Sequence, residues 1–199
     1  MSSYTCSCGK ILESPLKSTL ILDKEISALI NSGDIFNVPC SDCDRILKVE
    51  EKTDFFSPSK DYHLLFIPEN SRTSFFLGKI AIDPSVDRLV IGYKELKEKL
   101  LMRENGLDDQ ILEILKLSYM SRHKKNINLY FKEIQNEKLY FYVEGLKLEE
   151  IGLTAISMDL YLQKLQEKLI YLKDDDILSF ISPPYVNASQ IDVEDEELN

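Results

Sequence analysis

Four cysteines in two close pairs are the residues of this chain whose types and spacing promise chemistry. Cys6-Ser7-Cys8-Gly9-Lys10 comes first and Pro39-Cys40-Ser41-Asp42-Cys43-Asp44-Arg45 follows, and the 199 residues contain no other cysteine. A tetrahedral zinc ion takes four thiolates, and two short-spaced pairs supply them as two tight turns that folding brings together. Such a site has a net charge of about −2, so it needs backbone N–H groups aimed at sulfur and cations close by. Gly9 and Asp44 each follow a pair directly and suit the left-handed backbone that turns the next amides toward sulfur. Lys10 and Arg45 stand one residue further on in both halves, placed to offset the negative charge. Four thiolates close the coordination sphere, so the expected Zn2+ is structural, with Cys6, Cys8, Cys40 and Cys43 as its ligands and no reactive water.

A redox dithiol and a pair of structural disulfides are the competing uses of the same residues. Met1 to Lys10 has no apolar stretch of the kind a secretory signal needs, which leads to the expectation of a cytoplasmic chain, where stable disulfides are rare. A redox C-x-x-C usually opens a helix, whereas Cys40 to Cys43 runs on into a strand-like Arg45 to Glu50. The metal reading is preferred.

Residues from Tyr4 to about Tyr119 resemble the CpXC family, named for a Cys-Pro-x-Cys motif. The shared features are the paired cysteines, the extended Ile35-Phe-Asn-Val-Pro39 before the second pair, and Asn105-Gly106-Leu-Asp-Asp-Gln110-Ile-Leu-Glu-Ile-Leu-Lys116 downstream. The first pair is one residue tighter than C-x-x-C, and Pro39 precedes Cys40 instead of following it, yet all four thiols are kept. The resemblance implies a zinc-ribbon-like start and an unassigned biochemical function, and it brings no catalytic residues.

The elements that must position the cysteines follow from local signals. Ile11 to Leu22 reads as strand-like with a break at Pro15, and Asp23 caps a helix presenting Ile26, Leu29 and Ile30 and ending at Gly33. That helix fills the gap between the pairs and is expected to pack over the ribbon. Strands are expected at Ile35 to Val38, Arg45 to Val49, Tyr62 to Ile67 and Phe75 to Ile82. Two helices follow, Tyr93 to Glu104 and one capped by Asp108 that faces Ile111, Leu112, Ile114, Leu115 and Tyr119 inward. Ile127 to Ile134 and Lys138 to Glu144 alternate about a turn and predict a β-hairpin. Ser157 then caps a helix with Met158, Leu162, Leu165, Leu169 and Leu172 toward a core, and one last turn is expected between Asp174 and Ile181. The expected fold class is α+β: a zinc-ribbon-like module with an inserted helix over 1–68, a mixed domain of hairpins and helices over 69–186, and an acidic disordered tail over 187–199.

Composition restricts the partners. Half of the −10 net charge comes from Asp192, Glu194, Asp195, Glu196 and Glu197, with no basic residue among them, and residues 1–50 hold five Lys/Arg against seven Asp/Glu. Phosphate-backbone binding needs clustered positive charge, so nucleic acid is not expected as a partner. The basic cluster Ser121-Arg-His-Lys-Lys125 sits at a helix C-terminus, where cations complement the dipole. No run approaches the roughly 18 apolar residues of a membrane span, and no membrane partner is expected.

Walker, G-x-G-x-x-G, H-E-x-x-H and G-x-S-x-G patterns are missing from the sequence. The leading expectation is a zinc-stabilised module that engages a protein partner or a second copy of itself. The alternative is an enzyme assembled from scattered residues such as Asp108, Asp109 and His63, although the aspartates also read as helix-capping groups and His63 as a hydrogen-bonded core residue. On the hairpin, Tyr140 and Tyr142 project opposite Leu139, Phe141 and Val143, and Tyr130 joins them from the paired strand. These three tyrosines are the candidate interaction surface, with burial by another element of the same chain as the other possibility.

Overall fold

The computed structural model describes residues 3–14, 16–123, 127–147 and 150–188. Pro15, the two lysines of the basic cluster and 189–199 of the acidic tail lie outside the described residues. The protein is α+β and divides into two compact units, residues 1–97 and 98–199.

The first unit begins with two small hairpins. β1 (Ser3–Thr5) pairs antiparallel with β2 (Ile11–Glu13), and β4 (Asn37–Pro39) pairs antiparallel with β5 (Ile46–Lys48). Each hairpin turn contains one cysteine pair. Between the hairpins lie β3 (Thr19–Ile21) and α1 (Lys24–Ser32). The Asp23 carboxylate accepts the Ile26 N–H at 2.9 Å, and Gly33 at φ 89° donates to the Leu29 and Ile30 carbonyls, so both helix ends are closed as expected.

Among the described residues, no side chain of the inserted helix joins the ribbon's core cluster. Leu12, Val38 and Val49 gather around Cys6 and Cys40. Ile30 of α1 is fully buried elsewhere, and its carbonyl accepts the Tyr93 hydroxyl at 2.6 Å while Lys97 donates to the Asn31 carbonyl. Two side-chain hydrogen bonds to carbonyls at its C-terminal end thus hold α1 to the segment around Tyr93.

This unit also contains a four-stranded mixed sheet, in the order β3, β6 (Thr53–Phe56), β7 (His63–Ile67), β8 (Arg88–Ile91). The outer pairs are parallel and the central pair antiparallel. Every residue of β7 is buried, as its nearly unbroken apolar run predicts. The strand expected at Phe75 to Ile82 is absent. Arg72–Phe76 forms the short helix α2, where Arg72 binds Glu69, Glu95 and the Ile91 carbonyl. Phe76 and Leu77 stay exposed, so their apolarity marked no sheet position.

Helix α3 (Gly92–Glu104) leads into the second unit, followed by α4 (Asp109–His123), whose first turn is capped by the Asp108 carboxylate. β9 (Asn128–Gln135) and β10 (Lys138–Lys147) form the expected hairpin, and β11 (Glu150–Ser157) adds an antiparallel third strand to β10. Leu139, Phe141 and Val143 are buried with Ile111, Leu112, Leu115 and Phe131 in one core.

The long helix after Ser157 is broken into α5 (Met158–Gln166) and α6 (Lys168–Tyr171), with α7 (Asp175–Ile181) capped by Asp174. Met158 and Leu172 pack on the core as expected, but Leu162, Leu165 and Leu169 are 45%, 36% and 73% exposed. Tyr161 takes the buried place instead, because its hydroxyl accepts the Asp108 N–H at 2.9 Å. An aromatic ring with a satisfied polar tip outcompetes the leucine stripe for the inward face.

Candidate metal centre

The two cysteine turns are built alike. The Cys6 N–H donates to the Lys10 carbonyl and the Gly9 N–H to the Cys6 carbonyl, both at 2.8 Å. In the second turn the Cys40 N–H donates to Arg45 at 2.8 Å and the Asp44 N–H to Cys40 at 3.0 Å. Gly9 at φ 91° and Asp44 at φ 57° take the left-handed conformation that this arrangement needs.

The four Sγ atoms lie within 4.8 Å of one another. Cys6 stands 3.6 Å from Cys43, and Cys8 stands 3.6 Å from Cys40, so each close contact crosses from one turn to the other. All four are free thiols. Four sulfurs about 2.3 Å from a tetrahedral zinc would be about 3.8 Å apart, so the donor set and spacing fit that ion. Cys6 and Cys40 are buried, Cys43 is half-buried and Cys8 is exposed, which leaves the site an approach from solvent.

Electrostatics separate the thiols. The Cys8 N–H, the strongest influence on Cys6, lowers its thiol to about 6 against the opposing effect of burial. At Cys43 the Arg45 N–H favours the thiolate, but burial and the other three sulfurs outweigh it and push the thiol up to about 12. Crowded sulfurs of like charge hold protons back, and a divalent cation removes that conflict. Lys10 and Arg45 act across the site: Lys10 pairs with Asp42 at 3.3 Å and Arg45 donates to the Ser7 hydroxyl. Each cation therefore braces the opposite turn. Sequence spacing alone does not show this.

The other singled-out residues fall elsewhere. Asp108 caps α4, and Asp109 faces Lys99 at 3.3 Å in a buried ionic group, so both carry structural duties in the second unit. His63 lies in the first unit at a cavity of about 390 Å³, together with Asp54, Asp83 and Ser85. Tyr130, Tyr140 and Tyr142 occupy the outer face of the β9–β10–β11 sheet, with Tyr142 42% exposed. Leu153 and Ile151, outside the candidate surface expected from the sequence, extend this face with 57% and 65% exposure. Leu153 lies directly opposite Tyr142 in the register, and the alternation of β11 was the available signal.

Two cysteine-turn hairpins that share four sulfurs define a ribbon-type module able to hold a metal ion. The chain belongs to the CpXC protein family, whose model matches residues 4–116. An uncharacterized protein of Treponema pallidum (strain Nichols) is 24% identical over 186 residues, covering 81% of this chain and 85% of that protein. No solved structure matches the chain. No helix among the described residues is long and apolar enough to cross a membrane.

Proposed function

We propose that the cysteines hold one structural Zn2+ and that the protein acts in the cytoplasm as an interaction module, engaging a protein partner through Tyr130, Tyr140 and Tyr142. The observation that carries the metal reading is the cross-turn geometry, with two Sγ pairs at 3.6 Å and all four sulfurs within 4.8 Å. Four donors close the coordination sphere, so the ion's task is to hold two hairpins whose own core is small. Elemental analysis of protein purified without chelator or oxidant should find about one zinc per chain. Metal-free protein with two disulfides would refute the assignment.

The interaction reading draws on an outer sheet face where Tyr142, Leu153 and Ile151 are exposed side by side. Aromatic and aliphatic groups on one sheet face suit a protein surface, and a buried hot-spot tyrosine contributes about 2 kcal/mol. Tyr140→Ser combined with Tyr142→Ser should abolish association with proteins held by the wild type and leave the melting temperature nearly unchanged. A large fall in melting temperature would instead show that these rings support their own unit. Self-association would appear in sedimentation as a dimer that the double variant dissolves.

A second reading, an enzyme, has one observation in its favour, the cavity beside His63.

A further inference from the structure

Thr19, Asp54, Phe56, His63 and Leu65 share one face of the β3–β6–β7–β8 sheet, because Asp54 pairs with Thr19 and Leu65, and Phe56 pairs with His63. The segment holding Asp83, Ser85 and Val86 completes the wall of the 390 Å³ cavity, and Lys52 adds a cation. That volume lies within the range of small-molecule sites.

His63 is held from several directions. Its Nε2 lies 2.7 Å from Asp54 Oδ1, its ring stacks on Phe56 with centroids 4.3 Å apart, and its main chain exchanges hydrogen bonds with Asp87. With the Asp54 carboxylate accepting at Nε2, the neutral imidazole keeps its hydrogen there and offers the Nδ1 lone pair. Nδ1 faces Ser85 Oγ at 3.4 Å. Ser85 is exposed at a turn fixed by its N–H on the Asp83 carboxylate at 2.8 Å and by the Val86 N–H on the Asp83 carbonyl. An accessible hydroxyl, an oriented imidazole and a carboxylate behind it reproduce the roles of a Ser-His-Asp triad, with the two ring nitrogens exchanged.

We propose that Ser85, His63 and Asp54 form a nucleophilic triad that hydrolyses a short, uncharged acyl ester. Ser85 Oγ attacks the carbonyl carbon while its proton passes to Nδ1. The C–O bond to the alcohol breaks and the alcohol leaves with that proton. Water then attacks the acyl-serine and gives a proton to Nδ1, which returns it to Ser85 as the carboxylic acid departs. Asp54 is a positioning residue, acting through the imidazole. Phe56, Leu65 and Val86 offer apolar surface to the substrate, and Lys52 and Thr19 offer donors to the developing oxyanion. Asp54 and Asp83 disfavour an anionic substrate and help expel the carboxylate product.

The test uses the full chain with p-nitrophenyl acetate and a fluorophosphonate probe, whose fluoride leaves as the serine–phosphorus bond forms. The expected result is one adduct, mapped to Ser85 by peptide mass spectrometry. Ester turnover should fall about 100-fold or more in S85A and in H63Q, as loss of a nucleophile or general base dictates. Ser85 is exposed, so S85A should keep the wild-type melting temperature and zinc content, which separates this proposal from the metal assignment. Asp54→Asn should lower kcat far more than it raises KM. Absence of a Ser85 adduct, or equal turnover in wild type and S85A, would overturn the triad and leave a structural hydrogen-bond network.

Discussion

Cys40→Ser is expected to abolish zinc retention and unfold the two-hairpin ribbon while leaving the second unit folded. Cys40 is 1% exposed and lies at the centre of a cluster whose other buried members are Cys6, Leu12, Val38 and Val49. Three buried aliphatic side chains cannot by themselves order two hairpins, since fixing each residue costs about 1–2 kcal/mol of conformational entropy. A structural zinc site contributes on the order of 10 kcal/mol, which makes the proposed ion the main support of this module. Hydrogen exchange should show the Cys6, Gly9, Cys40 and Asp44 amides losing protection in the variant, with the amides of β10 unchanged. A chelator should produce the same pattern in the wild type. A variant that kept one zinc per chain and full protection would refute this account.

Glu113→Ala is expected to cost the second unit about 3–5 kcal/mol, the usual effect of removing one partner from a buried ionic group. The Glu113 side chain is fully buried and accepts from Lys99 at 3.0 Å, Lys116 at 3.1 Å and the Ala188 N–H at 2.8 Å. Lys99 also faces Asp109, and Lys116 faces Glu98 at 2.6 Å, so α3, α4 and the segment at Ala188 meet in one charged knot. Truncation leaves two buried ammonium groups with one acid each and a buried amide without its acceptor. Urea unfolding of wild type and variant at neutral pH measures the difference directly.

The pH dependence follows from the same contacts. Burial alone would raise the Glu113 carboxyl, but Lys116, Lys99 and the Ala188 N–H outweigh it and hold it below its ordinary range. A carboxyl lowered by folding stabilises above its unfolded value, about 4.3, and that contribution is lost as pH falls through the folded value. Glu98 has the opposite sign. Burial, reinforced by Glu113, outweighs Lys116 and raises its carboxyl, so its contribution grows on acidification. The stability gap between wild type and Glu113→Gln should therefore shrink as pH falls below about 4. A gap independent of pH would show that Glu113 acts through packing alone.

Features decided within a few residues were legible in the chain itself. The cysteine turns, with positive φ at Gly9 and Asp44, follow from spacing and from which side chains tolerate that backbone. The caps at Asp23, Asp108 and Ser157 follow from short polar side chains ahead of apolar periodicity. The β9–β10 hairpin follows from alternation about Asn136 and Glu137, both at positive φ.

Tertiary structure decided what depends on distant partners. Parallel pairing of β3 with β6 and of β7 with β8 requires closure of long loops, for which local sequence has no signature. Lys99 and Lys116 are buried because Glu113 and Glu98 lie across from them, a pairing that local sequence does not signal. Leu162, Leu165 and Leu169 matched a core stripe by spacing, but the Tyr161 hydroxyl found the Asp108 amide and rotated the helix face. His63 and Ser85, 22 residues apart, meet only because β7 and the turn before β8 fold onto one sheet face. Local rules fix backbone conformation over about one turn, whereas burial and charge pairing are settled by whichever remote groups the packed chain brings within reach.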